Sequence, residues 1–480
     1  MSQLKQKALS GIFWSGLQQF GKQGIGFIVS IVLARLLLPE EFGLIAMIGI
    51  FMGIGASLMD AGLGSSLIRT ENPTQEDYST VFYYNLIGSV AMYVLLFATA
   101  PLIADFYNQE ILISIIRWYG IIFIINAFAM IQNTRLTKLM DFKTQMQIYL
   151  PSTIIGGLVG IIMAYLGYGV WSLVYMAIIQ AIASTLQLWF YSKWKPSWVF
   201  NKYKFKHHFK YGYKLTLSGL LDVVFVNAYT IIIGKFFAPA QVGFYNRANS
   251  LKQLPVTNIS AVLNKVTFPL FAEIKDDTVR LKSVYKRIMQ MVIFLVAPVL
   301  LIMAALAEPL FRFLFTEKWL PAVPYFQILC WNGILYPIHA YNLTILNVKG
   351  RSDLFLKLEI VKKIMIVLVV VVSFQFGIYG LLYGAVFTSV VGFLINTHYS
   401  GKYLNYPALE QTKDLLPIIF MAFIASAFVY FEELFFKDKI NYDAIRLLIG
   451  GLLGGGIYLL LAALFKMNSL TELKNIIRKR

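Results

Sequence analysis

Lys22 stands where a charge is expensive. It lies about eleven residues into an apolar stretch that begins near residue 11, roughly 17 Å along a helix rising 1.5 Å per residue, near the midplane of a hydrocarbon layer about 30 Å thick. A charge at that depth costs about 2.5–3.5 kcal/mol on insertion scales, so its presence points to a function. Steps of three and four residues gather Ser15, Gln19, Lys22, Gly26 and Ser30 on one helix face, a polar stripe suited to a wet lumen. The other reading is a structural hydrogen-bond network between helices, which has little use for a long-chain cation.

Further charges sit in apolar stretches. Asp222 occupies the position two hundred residues beyond Lys22, with Ser218 and Tyr229 on its face. It pairs with Lys22 in one conformation, carries a coupling proton or cation, or forms a static ion pair. Asp60 shares a face with Gly53, Ser57 and Gly64, while Asn258 and Lys265 share another. Arg35 and Lys235 precede Pro39 and Pro239 near span ends, where they either snorkel or face the lumen; Arg117 is open in the same way. The expected cationic cavity set is Lys22, Arg35, Arg117, Arg247 and Lys265, with Gln19 and Asn258 as lumen polar groups and Asp60 and Asp222 for ion coupling or gating. That balance suits an anion such as phosphate or pyrophosphate, which Lys attracts as a point charge and Arg through a bidentate fork. His339 is expected to pack between helices. Cys330 is the one cysteine, so no disulfide or cysteine metal cluster is expected, and no cofactor.

The elements that must carry these residues are membrane helices. Of 480 residues 58% are hydrophobic and 14% charged, far from the composition of a soluble enzyme, a secreted module or a disordered chain. The hydropathy predicts about fourteen spans: 11–37, 43–68, 79–104, 111–133, 148–167, 170–192, 213–238, 247–272, 288–314, 322–348, 359–377, 380–401, 415–435 and 445–465. The formal charge of +18 concentrates in alternate connections, as at Arg135–Lys143, Lys193–Lys214 and Arg280–Arg287, which places them and both termini in the cytoplasm. Aromatics among the lysines of 193–214 imitate a nucleic-acid patch, but a loop beside an anionic leaflet accounts for them and no nucleic-acid partner is expected. The first stretch is too long and too polar for a cleaved signal. No connection has room for a soluble catalytic domain, and no phosphate-binding loop of the GxxxxGK[ST] type occurs.

An internal match at an offset of 200 pairs Leu33-Ala34-Arg35-Leu36-Leu37-Leu38-Pro39-Glu40-Glu41-Phe42-Gly43 with Ile233-Gly234-Lys235-Phe236-Phe237-Ala238-Pro239-Ala240-Gln241-Val242-Gly243. Cation, proline and glycine coincide. Span 1 then matches span 7, and six spans is an even number, so the copies enter from the same side as a parallel repeat. The expected organisation is an all-α polytopic membrane protein with an N-terminal lobe over 1–212, a C-terminal lobe over 213–402, and two additional helices with a basic tail over 403–480. Such lobes enclose a central cavity and rock between inward-open and outward-open states.

With Leu33-Ala34-Arg35-x-Leu37-x-Pro39-x-x-Phe42-Gly43, Asp60-Ala61-Gly62-Leu63-Gly64, Gly169-Val170-Trp171-Ser172-Leu173 and Gly243-Phe244-Tyr245-Asn246-Arg247-Ala248, the chain resembles the polysaccharide transporters of the multidrug/oligosaccharidyl-lipid/polysaccharide flippase superfamily, the Wzx-type O-antigen and colanic-acid exporters. The resemblance implies a MATE-like fold of fourteen helices in two pseudo-symmetric lobes. It implies transfer of undecaprenyl-pyrophosphate-linked sugar repeat units across a bacterial inner membrane, coupled to H+ or Na+, with membrane lipids and polysaccharide polymerase machinery as partners. By analogy Lys22, Arg35, Arg247 and Lys265 would hold the pyrophosphate. Tyr83, Tyr84, Trp118, Tyr119 and Trp331 would stack on sugars or belong to the membrane interface. A multidrug antiporter of the superfamily would instead show an acidic cavity and about twelve spans. A polyprenyl-linked glycosyltransferase or polymerase would need a large outer loop or a stronger acidic pair than Glu40 and Glu41.

Overall fold

The computed structural model describes residues 2–478, with the side chains of residues 2–9, 12, 215, 261–266 and 476–478 outside the described set. Among the described residues there is helix and no strand, the form a chain takes where lipid offers no partner to backbone amides. Two compact units emerge, Met1–Gly243 and Phe244–Arg480.

The first unit contains α1 (Ser2–Leu36), α2 (Pro39–Asp60), α3 (Leu63–Arg69), α4 (Gln75–Tyr107), α5 (Ile111–Tyr119), α6 (Ile121–Lys138), α7 (Phe142–Tyr165), α8 (Trp171–Ser192), α9 (Lys202–Val226), α10 (Ala228–Phe236) and the start of α11 (Pro239–Glu273). The second holds the rest of α11 with α12 (Thr278–Ala305), α13 (Ala307–Phe315), α14 (Val323–Val348), α15 (Ser352–Ser373), α16 (Gly377–Leu404), α17 (Ala408–Phe436), α18 (Asp443–Leu464) and α19 (Asn468–Arg478). The expected spans fall on helical stretches, but the expected count of fourteen is not confirmed, and 43–68 and 213–238 each contain a helix break. Nine helical segments among the described residues are long and apolar enough to cross a membrane, ten if α9 and α10, bent by 46°, form one. The run Ser352–Leu404 counts once although α15 and α16 pack side by side. The duplication is visible in the helix ends: α1 stops at Leu36 and α2 starts at Pro39, while α10 stops at Phe236 and α11 starts at Pro239.

Polar residues mark the helix starts. Thr74 caps α4 in a reciprocal box: its backbone N–H and its hydroxyl each donate to Asp77 Oδ2 at 2.7 Å, and Asp77 N–H donates to Thr74 Oγ1 at 3.4 Å. Asp141, Asn201 and Asp277 cap α7, α9 and α12. At the other end of α3, Lys138 Nζ donates to the carbonyls of Leu67, Ile68 and Thr70, satisfying acceptors the helix leaves unpaired.

In the first unit α7 packs between α1 and α8. A β-carbon at Gly157 would stand 2.6 Å from Val29 of α1, so only glycine permits that approach. In the second unit α12 packs on α14 and α17. Buried hydroxyls there find partners: Tyr285 donates to Asn342 Oδ1 at 2.9 Å and Tyr458 to the Phe294 carbonyl at 3.0 Å.

Candidate functional site

The polar stripe survives as one face of α1. Gln19 and Lys22 are exposed, while Ser15, Gly26 and Ser30 are half-buried. The Lys22 ammonium stands 5.6 Å from the ring centre of Tyr149 on α7, a cation–π distance. Among the described residues Lys22 makes no ion pair, so its charge is available to an anion. Farther along the face, Gly26 and Ser30 line a cleft of about 110 Å3 with Thr153 of α7 and Gln180 of α8. Gln180 Nε2 donates to Thr153 Oγ1 at 3.3 Å. The cleft is otherwise apolar, walled by Val29, Leu33, Phe42, Leu173 and Met176, so Lys22 and Gln19 are the exposed polar groups of this face.

The other candidates are more dispersed. Arg35 at the end of α1 and Asp222 on α9 are exposed, and both are partnered. α1 packs chiefly on α7, whereas α9 packs on α2, α3 and α4, and among the described residues no ion pair between Lys22 and Asp222 is found. Asp60 is the last residue of α2, and its Oδ1 accepts from Gly64 N–H at 3.3 Å; a carboxylate there complements the start of α3. Arg117 Nε donates to the Phe97 carbonyl at 3.5 Å, with its guanidinium 4.2 Å from the centre of the Phe97 ring. In the second unit Arg247 lies over Phe315 at 4.9 Å and Trp319 at 5.0 Å. Asn258 is half-buried on α11. The Lys265 side chain lies outside the described residues.

Most of the aromatics singled out have ring partners. Tyr83 stacks on Trp198 at 5.8 Å, Tyr84 meets Phe205 at 4.9 Å, and Trp118 meets Tyr175 at 6.0 Å. Trp331 borders a cavity of about 830 Å3 within the second unit, together with Tyr379, Tyr383, Phe423 and Tyr430. His339 lies within 3.2 Å of both Ser389 Oγ and Asn396 Nδ2.

Two buried groups escaped the hydropathy reading. His208, with no exposed side-chain surface, has Nδ1 2.8 Å from Ser66 Oγ and Nε2 3.2 Å from Asp77 Oδ1. Lys204 Nζ reaches Asp77 Oδ2 at 2.8 Å. The available signal was Thr74-x-x-Asp77, a capping box whose acid also meets the basic segment 193–214. Lys252 on α11 is 6% exposed, and its stem passes beside Gly333, where a β-carbon would stand 3.1 Å from Lys252 Cδ.

Residues 32–324 match the model of a family described as "Polysaccharide biosynthesis protein". The chain belongs to that family. Among its relatives is the teichuronic acid biosynthesis protein TuaB of Bacillus subtilis, 28% identical over 299 residues; the match spans 62% of each chain. The lipopolysaccharide biosynthesis protein WzxC of Escherichia coli is 22% identical over 400 residues, 82% of this chain and 80% of that one. Among solved structures, the lipid II flippase MurJ in an inward closed conformation aligns with a TM-score of 0.74 and 14% identity over 94% of this chain and 98% of that one. This polysaccharide biosynthesis protein therefore shares the all-helical fold of that flippase.

Proposed function

We propose that the protein carries a polyprenyl-pyrophosphate-linked oligosaccharide, with undecaprenyl as the polyprenyl chain, from the inner to the outer leaflet of a bacterial plasma membrane. The observation that carries this reading is Lys22, exposed on a polar face of α1 and, among the described residues, without an ion pair. The sugar and pyrophosphate cannot enter hydrocarbon without losing their hydrogen bonds, whereas the prenyl tail dissolves in it; a polar face bearing a cation gives the head group a path. Both termini lie in the cytoplasm, and an H+ or Na+ gradient resets the transporter through Asp60 or Asp222. The names of TuaB and WzxC, which place them in biosynthesis of anionic or lipid-anchored polysaccharides, support a polysaccharide precursor as cargo and polymerase machinery as a partner.

The apolar, aromatic-walled cavity beside Trp331 favours a second reading, export of apolar drugs. One reconstitution separates them. Liposomes holding the protein are supplied with a panel of lipid-linked oligosaccharides and, separately, with fluorescent apolar dyes, under imposed pH or sodium gradients. The expected result is gradient-dependent leaflet exchange of the lipid-linked sugars and no dye transport; dye transport without sugar-lipid exchange would reverse the assignment.

A further inference from the structure

The two copies of the duplicated proline–glycine segment touch each other. A β-carbon on Gly43 would stand 2.7 Å from the carbonyl carbon of Pro239 and 3.2 Å from the Gly243 nitrogen. One on Gly243 would stand 2.8 Å from the carbonyl carbon of Pro39 and 3.4 Å from the Gly43 nitrogen. Each glycine receives the proline carbonyl of the other copy, the self-complementary pattern of a two-fold contact. Neither position has room for any side chain.

A second contact of this kind closes the other end of α2. Gly62, at φ +66°, would place a β-carbon 2.7 Å from the Gly212 carbonyl oxygen, and a β-carbon on Gly212 would run into the Ala61 carbonyl. Between the ends, Gly53 faces Val223 and Ser57 faces Gly219, so α2 and α9 run antiparallel along small residues. Each end also has a polar fastening. At the Pro39 end, Lys235 Nζ donates to the Phe106 carbonyl at 2.5 Å, at the C-terminus of α4. At the Gly62 end, His208 and Lys204 hold Asp77, and His208 also meets Ser66.

We propose that these two glycine contacts are the two gates of the transporter, Gly43/Gly243 toward the outside and Gly62/Gly212 toward the cytoplasm, both shut in this conformation. The proposal rests on the transport reading above and on the charge-based topology. Backbone faces that meet through glycine have no interdigitated side chains to withdraw, so they can part and re-form with few atoms rearranged. The polar fastenings add direction: a cation on helix carbonyls outside, and a His–Asp–Lys cluster inside. Alternation then consists of releasing one end of α2 while the other stays shut.

The test uses cysteine labelling, which needs no substrate. In a Cys330→Ser background, Met47→Cys reports the outer half of α2, where Met47 faces Gly234, and Ser57→Cys reports the inner half. Gly43→Ala should raise labelling of Met47→Cys by an impermeant maleimide from outside by about tenfold, as a β-carbon that fits only the open state shifts the population toward it. Gly212→Ala should do the same for Ser57→Cys from inside. Gly49→Ala, with nothing within 4 Å of its β-carbon, should do neither. Equal labelling in the Gly43→Ala and Gly49→Ala proteins would overturn the outer gate. As a check independent of whether the glycine variants fold, Glu40→Cys and Ala240→Cys are joined by a short reducible linker. Leaflet exchange should stop and return on reduction, and exchange that persists through complete cross-linking would overturn the gate. Wild type that never exchanges lipid-linked sugars would instead sink the transport reading, with the labelling result still standing.

Discussion

Arg446 and Glu433 bury opposite charges where α18 meets α17, with side chains 3% and 8% exposed. Arg446 Nε donates to Glu433 Oε2 at 3.2 Å and Nη1 to Asp443 at 3.1 Å. Removing one partner strands the other in a poorly solvated place, so Arg446→Met should destabilise the protein by about 3–5 kcal/mol, while Arg446→Met with Glu433→Leu recovers most of that loss. Thermal unfolding in detergent checks both, and an unaltered Arg446→Met midpoint would contradict the buried-pair account. Lys252 is the converse case, a buried ammonium with no carboxylate partner among the described residues. Lys252→Met should raise the unfolding midpoint, and a lowered one would show that the ammonium has a stabilising partner. At this scale the sequence spoke clearly where a charge stood alone in an apolar run, as at Lys22. It was silent on Asp77 and His208, because a residue in a basic loop becomes a buried partner only when α3, α4 and α9 come together.

The foot of α9 is an element held by tertiary contacts. Its start is disfavoured by His207, His208 and five lysines in the first thirteen residues, cations near the positive end of the helix dipole, yet Asn201 caps it, and Asp77 and Ser66 fix His208. His208→Ala leaves Asp77 and Ser66 each short of one buried partner, at about 1–3 kcal/mol. Hydrogen exchange over residues 202–212 should quicken in that variant while α1 keeps its protection; equal exchange in both proteins would show that the cluster does not hold the foot. Helix existence was legible because spanning helices announce themselves by apolar length. Several breaks within spans were not. The stretch 43–68 reads as one span, yet Ala61 at φ +44° and Gly62 at φ +66° end α2 inside it. Hydropathy runs unbroken across such a turn, and only left-handed backbone marks it.

At the scale of the molecule, the repeat was the most informative feature of the sequence, since the matched proline and glycine pairs become matched helix starts and a reciprocal contact. The division into compact units falls at Gly243, because α9 and α10 pack on α2, α3 and α4. What hydropathy and charge could not supply is which intramembrane charges face cargo, since lipid-facing and lumen-facing surfaces are both exposed on an isolated chain. Lys22 decides that question most directly. In proteoliposomes that flip a lipid-linked oligosaccharide, Lys22→Ala should slow exchange by about tenfold or more, the loss of at least about 1.4 kcal/mol of charge stabilisation during transfer, with Lys22→Arg retaining most of the rate. Exchange at the wild-type rate in a folded Lys22→Ala protein would contradict the account.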